Sequence, residues 1–251
     1  MRRFAQQRLA LTIGVMAAGI IAAGSLSAAT VFDTNLVSPG AGAPGFYNGA
    51  GNPQGGFTVT NTGGIELGLR AKLRQDPNVI DTPTDLYTVP TGTQQATIDH
   101  GANPARAAWN FEFSIDLGPA GIGLRLSDIT STLVVTDLTG TGGSQSFNTF
   151  FGDNAEFGTS GITNQVGADQ TKEWGTQNSE NPLFFPALFN DINTAHLYQF
   201  DLKVFAVNGG GLLASDTIQV QSVTPEPATF GLIGFGLAGL ALAARKRLKS
   251  L

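Results

Sequence analysis

The sequence contains no cysteine, which excludes disulfide bonds and cysteine-based zinc or redox sites. It has only two histidines, His100 and His196. No Gly-x-Ser-x-Gly motif accompanies them, so the sequence gives no sign of a Ser-His-Asp hydrolase. We therefore expect each histidine to be an ordinary surface or strand-end residue. Without disulfides, the fold must depend on a hydrophobic core, and roughly 200 residues are enough to build one.

Positive charge is scarce and is concentrated at the two ends. Of the 14 Lys and Arg residues, three lie in the first eight positions and four in the last seven. The middle of the chain contains the remaining seven basic residues and all 19 acidic residues, so its net charge is near −12. An acidic body of this kind lacks the basic face that nucleic acids and anionic lipids require. We expect no nucleic-acid partner.

The first 29 residues have the organisation of a secretory signal peptide. Three arginines precede an uncharged segment, Leu9–Leu26, and the small residues Ser27 and Ala29 occupy the −3 and −1 positions of a cleavage site. The pattern predicts export by the Sec machinery and cleavage after Ala29. A permanent N-terminal anchor is the alternative.

The end of the chain has three features in a fixed order. Pro225, Glu226 and Pro227 come first, then 17 uncharged residues (228–244), then a basic cluster at Arg245, Lys246 and Arg247. Seventeen apolar residues are close to the shortest helix that crosses a bilayer. We predict a transmembrane helix over 228–244, with the basic cluster as a stop-transfer signal on the cytoplasmic side.

This order of features resembles a PEP-CTERM sorting domain, which we place at residues 224–251. The resemblance implies that Pro225, Glu226 and Pro227 are read by an exosortase-like membrane transpeptidase that removes the tail. The protein would be anchored transiently in the inner membrane and then released to the cell surface or beyond it. A plain membrane anchor is the alternative.

The middle of the chain, residues 30–223, alternates between apolar and polar residues. The alternation is clearest over Ile65–Leu73 and Trp109–Leu117, which predicts two half-buried strands. Their polar residues Glu66, Glu112 and Asp116 are expected on a solvated face. With weaker segments, about nine strands separated by turn signals predict an exported all-β domain, an antiparallel, jelly-roll-like β-sandwich.

Other segments give less regular predictions. Residues 30–55 are expected to be mostly loop with a short strand near Val31, and 122–126 to form a strand. Residues 152–182 are expected to be a surface loop with a helical turn at 172–174. The segments GFYNGAGNPQGGFTV and GIELGLRAKLR also resemble PEP-CTERM proteins, and that resemblance supplies no catalytic residues.

Two oxygen-rich clusters are candidate weak calcium sites. One comprises Asp153, Asn154 and Glu156, and the other Asn190, Asp191 and Asn193. Calcium prefers several converging oxygen ligands. Asn and Asp also favour turns through their own side-chain hydrogen bonds, which is the alternative explanation.

These observations favour a non-enzymatic exported protein with a structural or adhesive role in a biofilm or surface matrix. Extracellular polysaccharide is the expected partner of such a domain. The alternative is a secreted carbohydrate-binding module or glycoside hydrolase.

Overall fold

The structure is a computed structural model and describes residues 29–36, 55–74, 80, 82–95, 101–117, 123–140, 143–150, 154–157, 161–163, 173–207 and 209–224. Fourteen strands and two 3-10 helices, Leu126–Asp128 and Pro182–Phe184, lie in these ranges. In chain order the strands are β1 (Ala29–Thr34), β2 (Phe57–Thr62), β3 (Ile65–Leu73), β4 (Leu86–Pro90), β5 (Thr93–Gln94), β6 (Asn103–Ala107), β7 (Trp109–Asp116), β8 (Ile129–Asp137), β9 (Ser144–Phe147), β10 (Asn154–Phe157), β11 (Gly161–Thr163), β12 (Glu173–Glu180), β13 (Leu197–Ala206) and β14 (Leu212–Val223).

The strands form two large sheets and one small ladder. The seven-stranded sheet has the order β1-β2-β3-β7-β12-β10-β11, the five-stranded sheet has the order β4-β14-β13-β8-β9, and β5 pairs with β6. Neighbouring strands are antiparallel except β4 and β14, which are parallel. The all-β, antiparallel prediction is confirmed. The connectivity differs from a jelly roll, which is built from Greek keys, because β1, β2 and β3 form a meander within one sheet.

The hydrophobic core lies between the two large sheets. Alternate residues of β3 and β7 point towards alternate residues of β8, β13 and β14, as period-two side-chain orientation requires. Phe111 of β7 packs against Phe200 of β13 with ring centroids 5.1 Å apart. Trp109 meets Phe189 edge-to-face at 5.9 Å. This contact between sheet faces makes the domain a β-sandwich.

The opposite face of the seven-stranded sheet is buried as well, which corrects the prediction of half-buried strands. Glu66, Glu112 and Asp116 were expected in solvent, yet they are only 6%, 1% and 1% exposed. Every residue of β7 is buried. The prediction was wrong because local alternation reports the polarity of a face but not what covers it.

A buried ion cluster carries the charge on this face. Arg70 Nε donates to Glu112 Oε2 at 2.6 Å, and Lys72 Nζ lies 2.6 Å from Glu112 Oε1. The Arg70 guanidinium also lies over the Phe57 ring, 4.1 Å from its centroid, and donates to the carbonyl of Gly55. Burial lowers the pKa of Lys72, and Glu112 partly offsets this effect. Opposite charges on neighbouring strands thus offset much of each other's desolvation.

A small apolar cluster covers part of the same face. Leu36, Phe57 and Val59 are buried together beside Gly68 of β3. A Cβ atom at Gly68 would lie only 2.5 Å from Leu36 Cδ2. The missing side chain at Gly68 therefore allows the segment after β1 to pack directly on the sheet.

Three local predictions need correction. Residues 154–157, 161–163 and 173–180, expected in a loop, form β10, β11 and β12. Trp174 lies in β12 rather than in a helical turn. The strand expected at 122–126 is absent from the described residues there, and a 3-10 helix begins at Leu126. The short strand near Val31 is confirmed as β1.

Candidate functional site

A cleft of about 370 Å³ opens at the edge of the sandwich, where β1 and β2 of one sheet approach β14 of the other. We call it the edge cleft. Its lining combines hydroxyl groups, two carboxylates and one aromatic ring: Thr30, Phe32, Thr60, Asp85, Ser215, Asp216 and Thr217. Among these described lining residues there is no lysine or arginine.

Asp216 is the most unusual residue of the edge cleft. Its side chain lies on the inward face of β14, between those of the alternate residues Ala214 and Ile218, and it is 4% exposed. Thr60 Oγ1 donates to Asp216 Oδ1 at 2.8 Å, and Thr30 Oγ1 lies 3.0 Å from Thr60 Oγ1. Within the described part of the chain, Oδ2 of Asp216 has no hydrogen-bond partner. One oxygen of a buried carboxylate is thus left for another group.

Burial sets the protonation of Asp216. Loss of solvent raises the pKa of this carboxyl group to about 7, although the hydrogen bond from Thr60 acts in the opposite direction. The negative charge of Asp85 contributes to this rise of the pKa, in the same direction as burial. Asp216 therefore exchanges its proton near neutral pH, as a group that donates or accepts protons at this pH must.

Asp85 reaches the cleft because β4 covers only one end of β14. Their parallel pairing runs from Gln219 to Val223 on β14, and the Gln219 amide donates to the Asp85 carbonyl at 2.7 Å. Asp85 is exposed just before β4. A buried and an exposed carboxylate therefore line the same opening.

Phe32 supplies the aromatic surface. It lies in β1 where the pairing register with β2 shifts, next to Asp33, whose φ of 48° marks the irregularity. Such bulges commonly redirect a side chain at a sheet edge. Phe32 is 37% exposed and lines the cleft, so part of this residue is accessible there.

A second polar network surrounds His196. This residue directly precedes β13, as a strand-end residue, but it is 6% exposed and not a surface residue. His196 Nδ1 lies 3.0 Å from Asp137 Oδ2, and Nε2 lies 2.9 Å from Thr194 Oγ1. The ring stacks on Tyr198 at 5.4 Å, and burial raises the pKa of that phenol.

The carboxylate–imidazole–hydroxyl order of this network resembles the arrangement that activates a nucleophile. However, Thr194 Oγ1 also lies 3.1 Å from Asp191 Oδ2, which ties the hydroxyl into the preceding turn. The network therefore fastens the loop before β13 to the end of β8. His100 lies outside the described residues.

The predicted calcium ligands separate into two places. Asn154 and Glu156 lie on β10 and not in a loop, and Asp153 is outside the described residues. Asp191 Oδ1 accepts from the Asn193 amide at 3.0 Å, a bond typical of turns. Asn190 is exposed beside it. Among the described residues, no three His, Cys, Asp or Glu side chains converge as a metal site, and calcium binding stays a prediction.

The edge cleft was not predicted from the sequence. The sequence feature that could have revealed the cleft is Asp216. It is an acidic residue in an alternating series whose other members, Ala214, Ile218 and Val220, are apolar. Cleavage after Ala29, which stays a prediction, would fall inside β1, one residue before a residue of the cleft.

Comparison with known proteins concerns the end of the chain. The family model of the PEP-CTERM protein-sorting motif matches residues 223–247. The chain carries a PEP-CTERM sorting signal. No curated protein and no solved structure matches the chain.

The PEP-CTERM signal confirms the resemblance given by Pro-Glu-Pro, the apolar segment and the basic end. It marks an exported protein, transiently anchored in the membrane and processed by an exosortase-type enzyme. Residues 225–227 and 245–247 lie outside the described residues, as does the predicted span 228–244. In the described part of this PEP-CTERM protein, no helix is both long enough and apolar enough to cross a membrane.

Proposed function

We propose that this PEP-CTERM protein is a non-enzymatic component of the cell surface or extracellular matrix. Its role is structural or adhesive, and its β-sandwich binds extracellular polysaccharide in the edge cleft. Export by the Sec machinery and removal of both hydrophobic ends deliver the domain to that polysaccharide.

The observation that carries this proposal is the composition of the cleft lining. Carboxylates and threonine hydroxyls are the acceptors and donors that sugar hydroxyls need, and Phe32 offers an apolar face to the ring of a sugar. A cleft in which several hydroxyl and carboxyl groups surround one aromatic residue fits a binding module for sugars.

Charge narrows the class of polysaccharide. Asp85 and Asp216 line the cleft, and the predicted exported part has a net charge near −12. A uronic-acid or sulfated polymer would be repelled. The lining suits neutral sugars or sugars with a free amino group.

A glycan array tests the proposal with the protein recovered from outside the cell. We expect binding to neutral or amino-sugar polymers that Phe32→Ala abolishes. Phe184→Ala is the matched control, because Phe184 is also an exposed phenylalanine, 49% accessible, but lies outside the cleft lining. Equal binding by the two variants would place recognition elsewhere, and absence of binding to every glycan would reject the carbohydrate role.

A glycoside hydrolase is the second candidate. Two carboxylates share one cleft, and a pKa of about 7 for Asp216 suits a general acid. The test is release of reducing ends from the polymers that bind. Product formation lost in Asp216→Asn and in Asp85→Asn would favour the hydrolase, whereas binding without product favours the module.

A further inference from the structure

The edge cleft contains an unsatisfied negative group and lies where the mature chain is predicted to begin. Asp216 is 4% exposed and its Oδ2 has no hydrogen-bond partner among the described residues. Asp85 lines the same cleft, and no lysine or arginine accompanies them in the described lining. Two carboxylates without a counterion suit a cation with several N–H donors.

The first residue after the predicted cleavage site is Thr30, and Thr30 itself lines the cleft. Its hydroxyl is connected to Asp216 through two successive contacts, 3.0 Å to Thr60 Oγ1 and 2.8 Å from there to Asp216 Oδ1. Three covalent bonds separate the nitrogen and Oγ1 of a threonine, so its nitrogen lies within roughly 10 Å of Asp216. Charges this close interact within about one Debye length.

Cleavage after Ala29 changes the chemistry of that nitrogen. In the precursor it is a neutral amide, whereas in the mature chain it becomes a primary amine with a pKa of about 7.7–8.0. At neutral pH most of it is an ammonium group with three donors. The rest of β1 stays paired with β2, because Thr30 and Val31 face Thr60 and Val59.

We propose that the α-ammonium group created at Thr30 by signal-peptide removal docks in the edge cleft as the counterion of Asp85 and Asp216. Maturation thereby completes a binding site that the precursor leaves unfilled, and it fastens the N-terminal edge strand to β14. The proposal rests on the predicted cleavage after Ala29 and does not require sugar binding, although the ammonium group would compete with an amino sugar for the same carboxylates.

The experiment uses the exported protein, purified and checked by intact mass for Thr30 as the first residue. Selective acetylation near pH 6.5 removes the α-ammonium charge, because α-amines have a pKa about 2 to 3 units below that of lysine. Each sample is then unfolded in urea at pH 7. We expect acetylation to lower the urea midpoint of the wild type and to leave that of an Asp85→Asn/Asp216→Asn variant unchanged.

A second measurement does not depend on any variant. The carboxyl carbon of Asp216 is titrated by NMR in the free and acetylated proteins, and we expect a higher midpoint after acetylation. The proposal is overturned if acetylation changes neither the titration midpoint of Asp216 nor the urea midpoint of the wild type. It is also overturned if acetylation lowers the urea midpoint equally in the wild type and the double variant, or if the first residue is not Thr30. Either midpoint alone staying unchanged is enough to overturn it.

Discussion

Arg70 and Glu112 are directly opposite each other on strands β3 and β7 and form an ion pair. The Arg70 side chain is 0% exposed and the Glu112 side chain is 1% exposed. The pair lies on the sheet face turned away from the main core. Two charges in such a place are stable only together, because each depends on the other after losing its water.

Removal of one of these two charges should therefore destabilise the fold strongly. We expect Glu112→Ala to lower the free energy of unfolding by about 3–5 kcal/mol, because the Arg70 guanidinium then stays buried without its carboxylate. Urea denaturation measures the change. Lys203→Ala, at an exposed position of β13, is the control and should change stability by less than about 0.5 kcal/mol. A loss below 1 kcal/mol in Glu112→Ala would contradict the buried pair.

Gly68 should not tolerate a methyl group. In Gly68→Ala the new Cβ would lie 2.5 Å from Leu36 Cδ2 and 3.3 Å from the Phe57 ring. We expect a loss of about 1–3 kcal/mol from overpacking. Gly101→Ala is the matched control, since no atom lies within 4 Å of its Cβ position. If Leu36→Ala does not restore part of the loss in a double variant, the clash is not with Leu36.

Asp216 should make stability depend on pH. Its pKa of about 7 in the folded protein exceeds the ordinary value near 4, so the folded state holds the proton more tightly than the unfolded chain. The free energy of unfolding should then decrease as pH rises from about 4 to 7, by on the order of 3 kcal/mol from this group. The measurement compares Asp216→Asn with the wild type, both with a blocked N-terminus. A pH dependence equal in both proteins would show that Asp216 is not the group responsible.

The Asp137–His196 contact should stabilise the loop before β13. Asp137→Ala removes the acceptor 3.0 Å from His196 Nδ1, and both groups are buried. We expect a loss of about 1–3 kcal/mol, because the variant removes a buried carboxylate that contacts both His196 Nδ1 and the backbone N–H of Thr139. Asp201→Ala removes a carboxylate that binds Thr217 at the surface and should cost less than about 1 kcal/mol. Similar losses in the two variants would argue against a special role for the buried pair.

The sorting signal should control removal of the tail. With Pro225, Glu226 and Pro227 all replaced by alanine, we expect intact mass to show residues 228–251 still attached to the membrane-bound protein. Thr88→Ala, an exposed substitution on β4, should leave processing unchanged. Normal release of the triple variant would exclude these three residues as the recognition motif.

The sequence predicted the strands whose apolar residues alternate, because inward-facing residues such as Leu67, Phe111 and Phe200 create that pattern themselves. It did not predict β12, EWGTQNSE, which is rich in polar residues. Pairing with β7 explains this strand, since hydrogen bonds between backbones do not depend on side-chain polarity.

The edge cleft could not be predicted for a related reason. Thr60 and Asp216 meet at 2.8 Å although 156 positions separate them in the chain. No local pattern encodes such an encounter. The buried ion pair of Glu112 was missed for the same reason, because its partner Arg70 lies 42 positions away in the chain.

Strand β14 continues to Val223, the residue at which the match to the sorting motif begins. The Val223 carbonyl still accepts a hydrogen bond from the Thr91 amide at 2.9 Å, so the last rung of the sheet and the first residue of the signal coincide. In the sequence only Thr224 separates Val223 from Pro225, and an extended residue spans about 3.5 Å. An enzyme that reads the Pro-Glu-Pro motif on the folded protein would therefore work within about 7 Å of the last paired residue of β14.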